Sequence, residues 1–313
     1  MLRYCAARLL AGIPTLLLVS IFIFSLIHLT PGDPAVLLAG DNATPAQVEA
    51  IRARLKLDLP LWEQFSIWFA DAMRLNLGSS IYSGKPVTEL IAQRIEPTLM
   101  LSLTTLVMTV CFSIPLGAIA AWRANSLVDR LAMGFAVAGF SIPVFVIAYV
   151  LVYIFAVELR LFPVQGYKPL SGGLLTTLHS VTLPALSLAL VFSALIARVT
   201  RASVLDALGE NYIRTARAKG LSAPRILFLH ALKSVGVPVI TVVGIGLATL
   251  IGGVVVTESV FNIPGIGRLT VDAITRRDYP VIQGVILFFS VSLILINLIV
   301  DMSYALIDPR VKG

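Results

Sequence analysis

The sequence predicts an all-α, polytopic membrane protein with six transmembrane helices and with both termini in the cytoplasm. Three observations carry this prediction: the composition, six long apolar stretches, and the uneven distribution of basic residues along the chain. Of the 313 residues, 58% are hydrophobic and only 13% are charged, whereas soluble domains are about 45–50% apolar and about 25% charged. The composition therefore favours a membrane protein.

Six apolar stretches are long enough to cross a bilayer as helices, which need about 17–25 residues. Helix is the expected form because an isolated strand would leave backbone groups unpaired in lipid. The first stretch is too long for the core of a signal peptide and lacks a small-residue cleavage site, so we expect it to be retained. The fourth is the shortest. In chain order the stretches are residues 9–29, 98–122, 131–157, 181–197, 236–257 and 281–300.

Small residues and prolines within these stretches indicate helices that pack closely on one another. A small residue at every fourth position of the fifth stretch would let a neighbouring helix approach; the three are Gly244, Ala248 and Gly252. Prolines interrupt the backbone hydrogen-bond ladder and are expected to kink their helices; they are Pro115, Pro143 and Pro238. Ordinary membrane packing is the alternative explanation for any one of these residues.

The basic residues give the orientation of the chain. With a cytoplasmic N-terminus, the cytoplasmic side carries 13 basic and five acidic residues, and the external side carries 11 basic and 12 acidic residues. Short loops rich in Lys and Arg stay in the cytoplasm, so both termini are placed inside. The net charge of +7 is thus a topology signal, and nucleic-acid binding is a poor explanation for it. The two cysteines, Cys5 and Cys111, are expected to be free thiols.

The longest external segment, residues 30–97, is predicted to form a subdomain of its own. Its opening run TPGDPA stops the first helix, and Thr44 with Pro45 predicts the start of a new one. The run LWEQFSIWFADAMRL predicts an amphipathic helix. The helix either anchors at the membrane surface or belongs to a subdomain that shapes the mouth of a passage. Its apolar face comprises Trp62, Phe65, Trp68/Phe69 and Ala72.

The sequence lacks the residues expected for ion-coupled transport, for catalysis and for the binding of a metal or of ATP. The six stretches contain no Asp, Glu, Lys or Arg, which argues against proton- or sodium-coupled transport. The motifs H-E-x-x-H, G-x-S-x-G and G-x-x-x-x-G-K-[ST] are absent, so we expect no catalytic residue, no metal site and no cofactor in this chain. Energy for uphill transport would have to come from another chain. Three of the polar residues within the stretches either line a passage or only bond the backbone of a neighbouring helix: Ser141, Thr249 and Asn297.

A basic segment, NYIRTARAKGLSAPR, lies within the cytoplasmic loop 198–235. Residues 211–219 are predicted to form a short helix that stops at Gly220, because glycine tolerates a left-handed backbone. Ser222 is predicted to cap a second helix, with Pro224 in its first turn, that continues into the fifth stretch.

The short helix is predicted to present two faces. Ala216 and Gly220, one turn apart, form a low face next to one larger side chain, Tyr212, and Arg214 and Arg217 share another face. Such a surface could receive the groove of a second protein, with the cations setting its register. The alternative is a polybasic loop on anionic lipid headgroups, which would gain nothing from Ala and Gly.

The run YIRTARAKGLS closely resembles the cytoplasmic coupling loop of permease subunits in bacterial peptide ABC importers. Four further runs resemble the same family in the same order, so the resemblance covers essentially the whole chain. It is closest to the first-permease type, which is named for dipeptide, oligopeptide, glutathione and nickel uptake. The further runs are HLTPGDPA, LKLDLPLWEQF, TESVFNIPGIGRL with RRDYPVIQG, and YALIDPRV.

The resemblance implies the fold of a type I ABC importer permease and a set of partners. These are a second, similar permease chain, one or two ATP-binding subunits that hold ATP and Mg²⁺, and an external solute-binding protein, all at the bacterial inner membrane. Dipeptides or oligopeptides are the expected cargo; glutathione, nickel chelates and small glycosides stay open, as does a stand-alone carrier. The implied coupling residues are Glu210, Tyr212, Arg214, Thr215, Ala216, Arg217, Lys219, Gly220, Leu221 and Ser222.

The resemblance also concerns the pattern within the coupling loop and an external segment after the fifth stretch. Broader ABC importers carry an E-A-A-x-x-x-G pattern, which Ala216 and Gly220 match. Arg214 stands at the acidic position and Thr215 at the first alanine, so the role of the acidic residue does not carry over. Residues 258–280 resemble part of an extracellular gate, with Glu258, Asn262 and Arg268 as candidates for contact with substrate or binding protein. The alternative is a structural turn that pairs locally.

Overall fold

The computed structural model describes residues 2–29, 33–39, 43–54 and 57–307. Within these ranges the chain is helical apart from connecting turns, with one isolated antiparallel bridge between Ser79 and Pro86. Two π-helical segments, Val152–Glu158 and Ile226–Ala231, and one short 3-10 turn, Leu170–Gly172, interrupt the α-helices. The α-helices are α1 Leu2–Leu29, α2 Pro34–Ala39, α3 Pro45–Arg54, α4 Leu61–Met73, α5 Val87–Trp122, α6 Leu127–Ser141, α7 Val144–Leu151, α8 Leu174–Gly209, α9 Asn211–Ala218, α10 Ala223–Arg225, α11 Leu232–Ser234, α12 Gly236–Val260, α13 Ile266–Arg276 and α14 Tyr279–Ile307.

The described helices account for the six predicted spans. Four are long and apolar enough to cross a membrane unaided: Leu10–Leu29, Val87–Trp122, Leu174–Gly209 and Tyr279–Tyr304. The other two predicted spans correspond to bent helix pairs, and each pair is long and apolar enough only when its two helices are taken together. Leu127–Ser141 with Val144–Glu158 turns by 106°, and Ala223–Ser234 with Gly236–Leu250 turns by 64°.

The fourth span differs most from its prediction. Residues 181–197 are only the middle of α8, which has 36 residues and the most buried window of the four single-helix spans. The flanking turns contain Ser and Thr, which shortened the apolar stretch seen in the sequence. In the structure these hydroxyls donate to main-chain carbonyls of the preceding turn: Thr177 Oγ1 donates to Gly173 O at 3.1 Å and Ser180 Oγ to Thr177 O at 2.7 Å. They therefore fit into a buried helix.

The three span prolines have different consequences. Pro143 marks the 106° bend, because a residue before proline avoids the helical region and Ile142 accordingly has an extended backbone (φ −91°, ψ 129°). Pro115 lies inside α5, which continues through it. Pro238 falls in the first turn of α12, where its missing N–H is tolerated; the 64° bend lies before it, at Val235.

One compact unit comprises Met1–Ile95 and Arg268–Leu295. The amphipathic helix α4 forms as predicted, and its Phe65 and Trp68 rings lie 5.4 Å and 6.0 Å from the Phe24 ring of α1. Trp62, predicted on the same face, is 69% exposed; because it lies in the first turn of α4, it extends beyond this contact. Asp278 accepts hydrogen bonds from Ser80 Oγ at 2.5 Å and from the Ile81 N–H at 3.2 Å.

An ion pair joins the turn before α2 to α3 in this unit. The Ala35 N–H donates to Asp33 Oδ1 at 2.9 Å, and the Arg52 guanidinium binds the other carboxylate oxygen. The hydrogen bond from the Ala35 N–H has the largest effect on the pKa of Asp33, and Arg52 adds to it, so that this pKa lies below its ordinary value. The start of α3 at Pro45 confirms its prediction, with Gln47 Oε1 accepting from the Thr44 N–H at 2.8 Å.

The second compact unit comprises Glu96–Gly267 and Ile296–Gly313. Its core forms where α7, α8 and α12 pack around residues such as Leu188 and Leu250. Close approach depends on small residues, as predicted for Gly244: a Cβ there would lie 2.7 Å from Val300 Cγ2. Gly117 similarly leaves room for α8, since a Cβ would lie 2.5 Å from Ala197 O.

Three predictions fall partly outside the described residues. They concern the beginning of the TPGDPA run, the LK pair at 55–56, and the end of the C-terminal YALIDPRV run.

Candidate functional site

The helix α9, Asn211–Ala218, is the centre of the basic cytoplasmic segment. Its first turn forms when the N–H groups of Ile213 and Arg214 bond to Glu210 O. Its end is a Schellman motif: the Gly220 N–H bonds to Arg217 O at 2.9 Å and the Leu221 N–H to Ala216 O at 3.3 Å. Gly220 has φ +77°, so the predicted glycine stop is confirmed.

One face of α9 is buried in the chain's own core. Ile213 is fully buried and Ala216 is 6% exposed; both pack into a cluster with Ala118, Val204 and Ile226. Ala216 therefore does not form the low docking face that the sequence predicted for it. Because Ile213 and Ala216 are three residues apart, they share a face, and the small side chain lets α9 approach its own bundle.

The opposite face of α9 is solvent-exposed and positively charged. Tyr212 is half-exposed, and its hydroxyl donates to Ser234 Oγ at 2.8 Å. Leu221 is half-buried. A Cβ on Gly220 would meet nothing within 4 Å. Thus nine of the ten predicted coupling residues, all but Ala216, keep exposed surface. The exposed ones are Glu210, Tyr212, Arg214, Thr215, Arg217, Lys219, Gly220 and Ser222.

The segment after α9 departs from the predicted single helix. Ser222 has the extended backbone of an N-cap (φ −67°, ψ 149°), but its side chain makes no capping bond. The chain then runs through the three-residue α10, the π-helical Ile226–Ala231 and α11 before it bends at Val235. The 64° turn separates Ala223–Ser234 from α12, so the helix that the sequence predicts as continuous consists of two helical segments joined at Val235.

A buried ion pair joins the C-terminal part of α8 to the start of α6. Arg201 Nε and Nη2 donate to Asp129 Oδ1 and Oδ2 at 2.5 Å and 2.7 Å, and the Asn125 N–H donates to Oδ2 at 2.9 Å. Asp129 is buried, at 4% exposed. This pair was not predicted from the sequence, although Ser126, three residues before Asp129, is a capping signal.

The region 258–280 is mostly helical, not a long loop. The α12 helix continues to Val260, and α13 begins at Ile266. Glu258 is fully buried; Thr98 Oγ1 donates to its Oε1 at 2.6 Å and accepts from the Ile266 N–H at 2.9 Å. This favours the local structural role, because a buried carboxylate does not face a partner. A Cβ at Gly265 would overlap the Glu258 side chain at its Oε1 atom, and a Cβ at Gly267 would lie 2.7 Å from the Val255 Cα atom.

The other passage candidates are distributed over several helices and one turn. Asn262 has φ +53° in the turn between α12 and α13, and Arg268 lies in α13. Ser141 Oγ and Thr249 Oγ1 each bond a carbonyl of their own helix, at 2.9 Å and 2.8 Å, and Asn297 is exposed. Their role in a passage stays a prediction. In the described part of the chain no group of three or more His, Cys, Asp or Glu residues is placed to hold a metal ion.

Comparisons with known proteins identify relatives along the whole chain. The family described as "Binding-prot-dependent transport system membrane comp, N-term" matches residues 1–104, and "Binding-protein-dependent transport system inner membrane component" matches residues 113–313. A probable peptide ABC transporter permease, y4tP of Sinorhizobium fredii, is 49% identical over 309 residues, which cover 99% of each chain.

A second relative and one solved structure are also similar to this chain. The glutathione transport system permease GsiC of Escherichia coli K12 is 45% identical and covers 100% of this chain and 99% of its own. Among solved structures, the MetNI methionine ABC transporter in an inward-facing conformation matches with a TM-score of 0.56 and 16% identity. The match covers 70% of this chain and 96% of that one, and at this identity the likeness concerns the fold.

Proposed function

The chain belongs to the family of binding-protein-dependent transport system inner membrane components, and from this membership we propose that it is the permease subunit of an ATP-driven peptide importer. The observation that carries the proposal is the pair of family matches over residues 1–104 and 113–313. The family is one of transport components, so we assign no catalysis to this chain.

The exposed face of α9 supports a coupling role within that proposal. Because Ile213 and Ala216 anchor the helix in the core, Arg214, Arg217 and Lys219 are presented outward on a fixed base. A partner that engages these cations would move α9 together with α8, on which it packs. The proposed mechanism is that an ATP-hydrolysing subunit receives this face in a groove and transmits its closure to the spans.

The proposed complex contains further chains. A second permease of similar fold would complete the translocation pathway, one or two ATP-binding subunits would hold ATP and Mg²⁺, and an external solute-binding protein would deliver the cargo. No cofactor is proposed for this chain itself. The relatives at 49% and 45% identity are named for peptide and glutathione transport; we propose a short peptide as cargo, with glutathione, itself a tripeptide, as the second candidate.

Charge reversal on α9 tests the coupling role. In the reconstituted complex, Arg214→Glu combined with Arg217→Glu should reduce ATP-dependent peptide uptake at least about tenfold, because like charges at an interface cost several kcal/mol. Arg123→Glu reverses an exposed basic residue of another cytoplasmic turn and should leave uptake near the unmodified rate. Normal uptake and normal peptide-stimulated ATP hydrolysis in the α9 double variant would contradict the proposal.

Two substitutions of Gly220 distinguish the effect of backbone strain from the effect of a blocked docking face. Gly220→Ala adds only the cost of φ +77° to an L-residue, about 1 kcal/mol, and should keep most of the uptake. Gly220→Glu adds in addition a bulky anion to the exposed face and should abolish uptake while the chain still reaches the membrane.

Two transport assays address the remaining alternatives. Uptake of a labelled dipeptide in competition with glutathione distinguishes the two cargo classes, and competition with a nickel chelate or a small glycoside tests the others. A stand-alone carrier would move solute in liposomes that contain this chain alone and no ATP, and such movement would contradict the proposed complex.

A further inference from the structure

A partly enclosed cavity of about 180 Å³ lies in the unit formed by Met1–Ile95 and Arg268–Leu295. It sits where α1 leads into the external segment, between α1, α4 and the start of α14. None of the residues predicted from the sequence to act in coupling or in the passage lines it. The residues that give the cavity its chemistry are Phe24, His28, Gln64, Trp68, Asp71 and Gln283.

The polar groups of this cavity are mainly acceptors. Gln64 Nε2 donates to Leu59 O at 2.8 Å, and Gln283 Nε2 donates to Ile23 O at 3.5 Å. A side-chain amide has two N–H groups. Gln64 uses both on the main chain, the second to Leu57 O at 3.4 Å, and Gln283 uses one. Within the described residues neither amide oxygen accepts a hydrogen bond. The Nε2 atom of His28 is buried and has no hydrogen-bond partner in the described part of the chain. Such an unsatisfied buried atom calls for a ligand or a water.

The cavity is also anionic. Among its described lining residues Asp71 alone carries a formal charge, and none is Lys or Arg. Within the described ranges no donor side chain bonds or pairs with the half-buried Asp71 carboxylate. Asn76 differs from the other amides, because its oxygen accepts from the Gly78 N–H at 3.3 Å and its amino group is left as a donor.

Aromatic rings complete the wall. The Phe24 and Trp68 rings lie 6.0 Å apart at 45°, and the Phe24 and His28 rings lie 5.1 Å apart at 53°. Tryptophan offers the best ring face for a cation. An aromatic wall, a carboxylate and surplus acceptors together match a cation that carries N–H donors or methyl groups. We propose that this cavity binds a primary or quaternary ammonium group.

A neutral or anionic ligand would fit less well. It would leave the Asp71 carboxylate without a counter-charge in a partly dehydrated site, which is costly. An ammonium group has two sources on this side of the membrane. One is the headgroup of phosphatidylethanolamine in the outer leaflet; the other is a free amine in the external medium, such as the amino end of a peptide. The proposal does not depend on the coupling role of α9.

Fluorescence of Trp68 tests ammonium binding directly. The chain has three tryptophans, so Trp62→Phe with Trp122→Phe leaves Trp68 as the reporter in the full-length purified protein. Titration with ethanolamine or tetramethylammonium should give a saturable change that sodium at equal ionic strength does not give. Absence of a saturable response in this otherwise intact cavity overturns the proposal, whatever any further variant does.

Asp71→Asn identifies the site. Loss of a charge-assisted interaction should weaken ammonium binding roughly tenfold, whereas Asp58→Asn, an exposed carboxylate outside the cavity, should leave it unchanged. Equal affinity for Asp71→Asn and the unmodified chain would overturn the assignment to this cavity.

Lipid retention separates the two sources. Native mass spectrometry of the protein released from nanodiscs with equal phosphatidylethanolamine and phosphatidylglycerol should show preferential retention of the former, lost in Asp71→Asn. That result supports the headgroup as ligand. A saturable response to ethanolamine without lipid preference supports a soluble amine. If the protein shows neither a saturable response nor a lipid preference, both sources are refuted.

Discussion

Removal of the Asp129–Arg201 ion pair provides a sharp test of how the cytoplasmic end of the bundle is held together. Arg201 makes two charged hydrogen bonds to Asp129, and the carboxylate also accepts from the Asn125 N–H. Asn125 has φ +63°, an unusual backbone for a residue other than glycine. The carboxylate therefore holds both α8 and the turn before α6.

The expected cost follows from the burial of the two partners. The Asp129 side chain is 6% exposed and that of Arg201 is 26% exposed. Breaking a buried pair from one side costs about 3–5 kcal/mol, and the residual exposure of Arg201 places both estimates at or below the lower end. We expect about 2 kcal/mol for Asp129→Asn, which keeps an acceptor, about 3 kcal/mol for Arg201→Met, and about 2 kcal/mol for the double variant. The coupling between the two positions is then about 3 kcal/mol.

Thermal unfolding of the purified chain in one detergent and at one heating rate measures this. A loss of 3 kcal/mol corresponds to a fall of roughly 5–10 °C in the unfolding midpoint. Arg198→Met removes an exposed arginine three residues earlier on α8 and should shift the midpoint by less than about 1 °C. Additive effects of Asp129→Asn and Arg201→Met would refute the reasoning, because they would mean that the pair does not act as a unit.

Three further predictions use other sites. Ala216→Arg should destabilise the chain by on the order of 3 kcal/mol, because a charge enters the core. Ala218→Arg, at an exposed position of α9, should change the stability by no more than about 0.5 kcal/mol. Equal thermal midpoints for the two variants would contradict the burial of Ala216. Gly265→Ala should lower the midpoint because its Cβ overlaps Glu258, and Gly134→Ala, in α6 with open space, should be neutral or stabilising by up to about 1 kcal/mol. Because the folded-state pKa of Asp33 is lowered, its stabilisation is present above its unfolded pKa, about 3.9, and is lost as the pH falls through the folded value. Amide protection factors in α3 should therefore drop on acidification in the unmodified chain and stay flat in Asp33→Asn; parallel profiles would argue against the ion pair.

Much of the fold follows from local chemistry that the sequence displays. The apolar stretches indicate the spans because backbone groups must be paired within a helix in lipid. Gly220 indicates the end of α9 because the left-handed backbone there is easy only for glycine. The break at Pro143 was predicted as a kink, but its size was not, because it depends on what α7 packs against after the turn.

The candidate site was harder to predict, since small residues are ambiguous. Ala216 permits close approach of a helix, and the sequence does not say whether the helix belongs to a partner or to the same chain; the packing of Ile213 next to it decides for the same chain. Glu258 illustrates a second difficulty. Its partner Thr98 is 160 positions away, so no local pattern distinguishes a buried structural carboxylate from an exposed one.

The length of α8 has a mechanical consequence. Its 36 residues span roughly 54 Å at 1.5 Å per residue, whereas the hydrocarbon core is about 30 Å thick. A rod of this length converts angle into distance: a rotation of about 10° at one end displaces the other by roughly 9 Å. Its end at Gly209 adjoins α9 through Glu210, so a modest tilt at that end is amplified along the helix. Pro184 is the one position inside α8 that lacks a backbone N–H donor, and the helix can flex there.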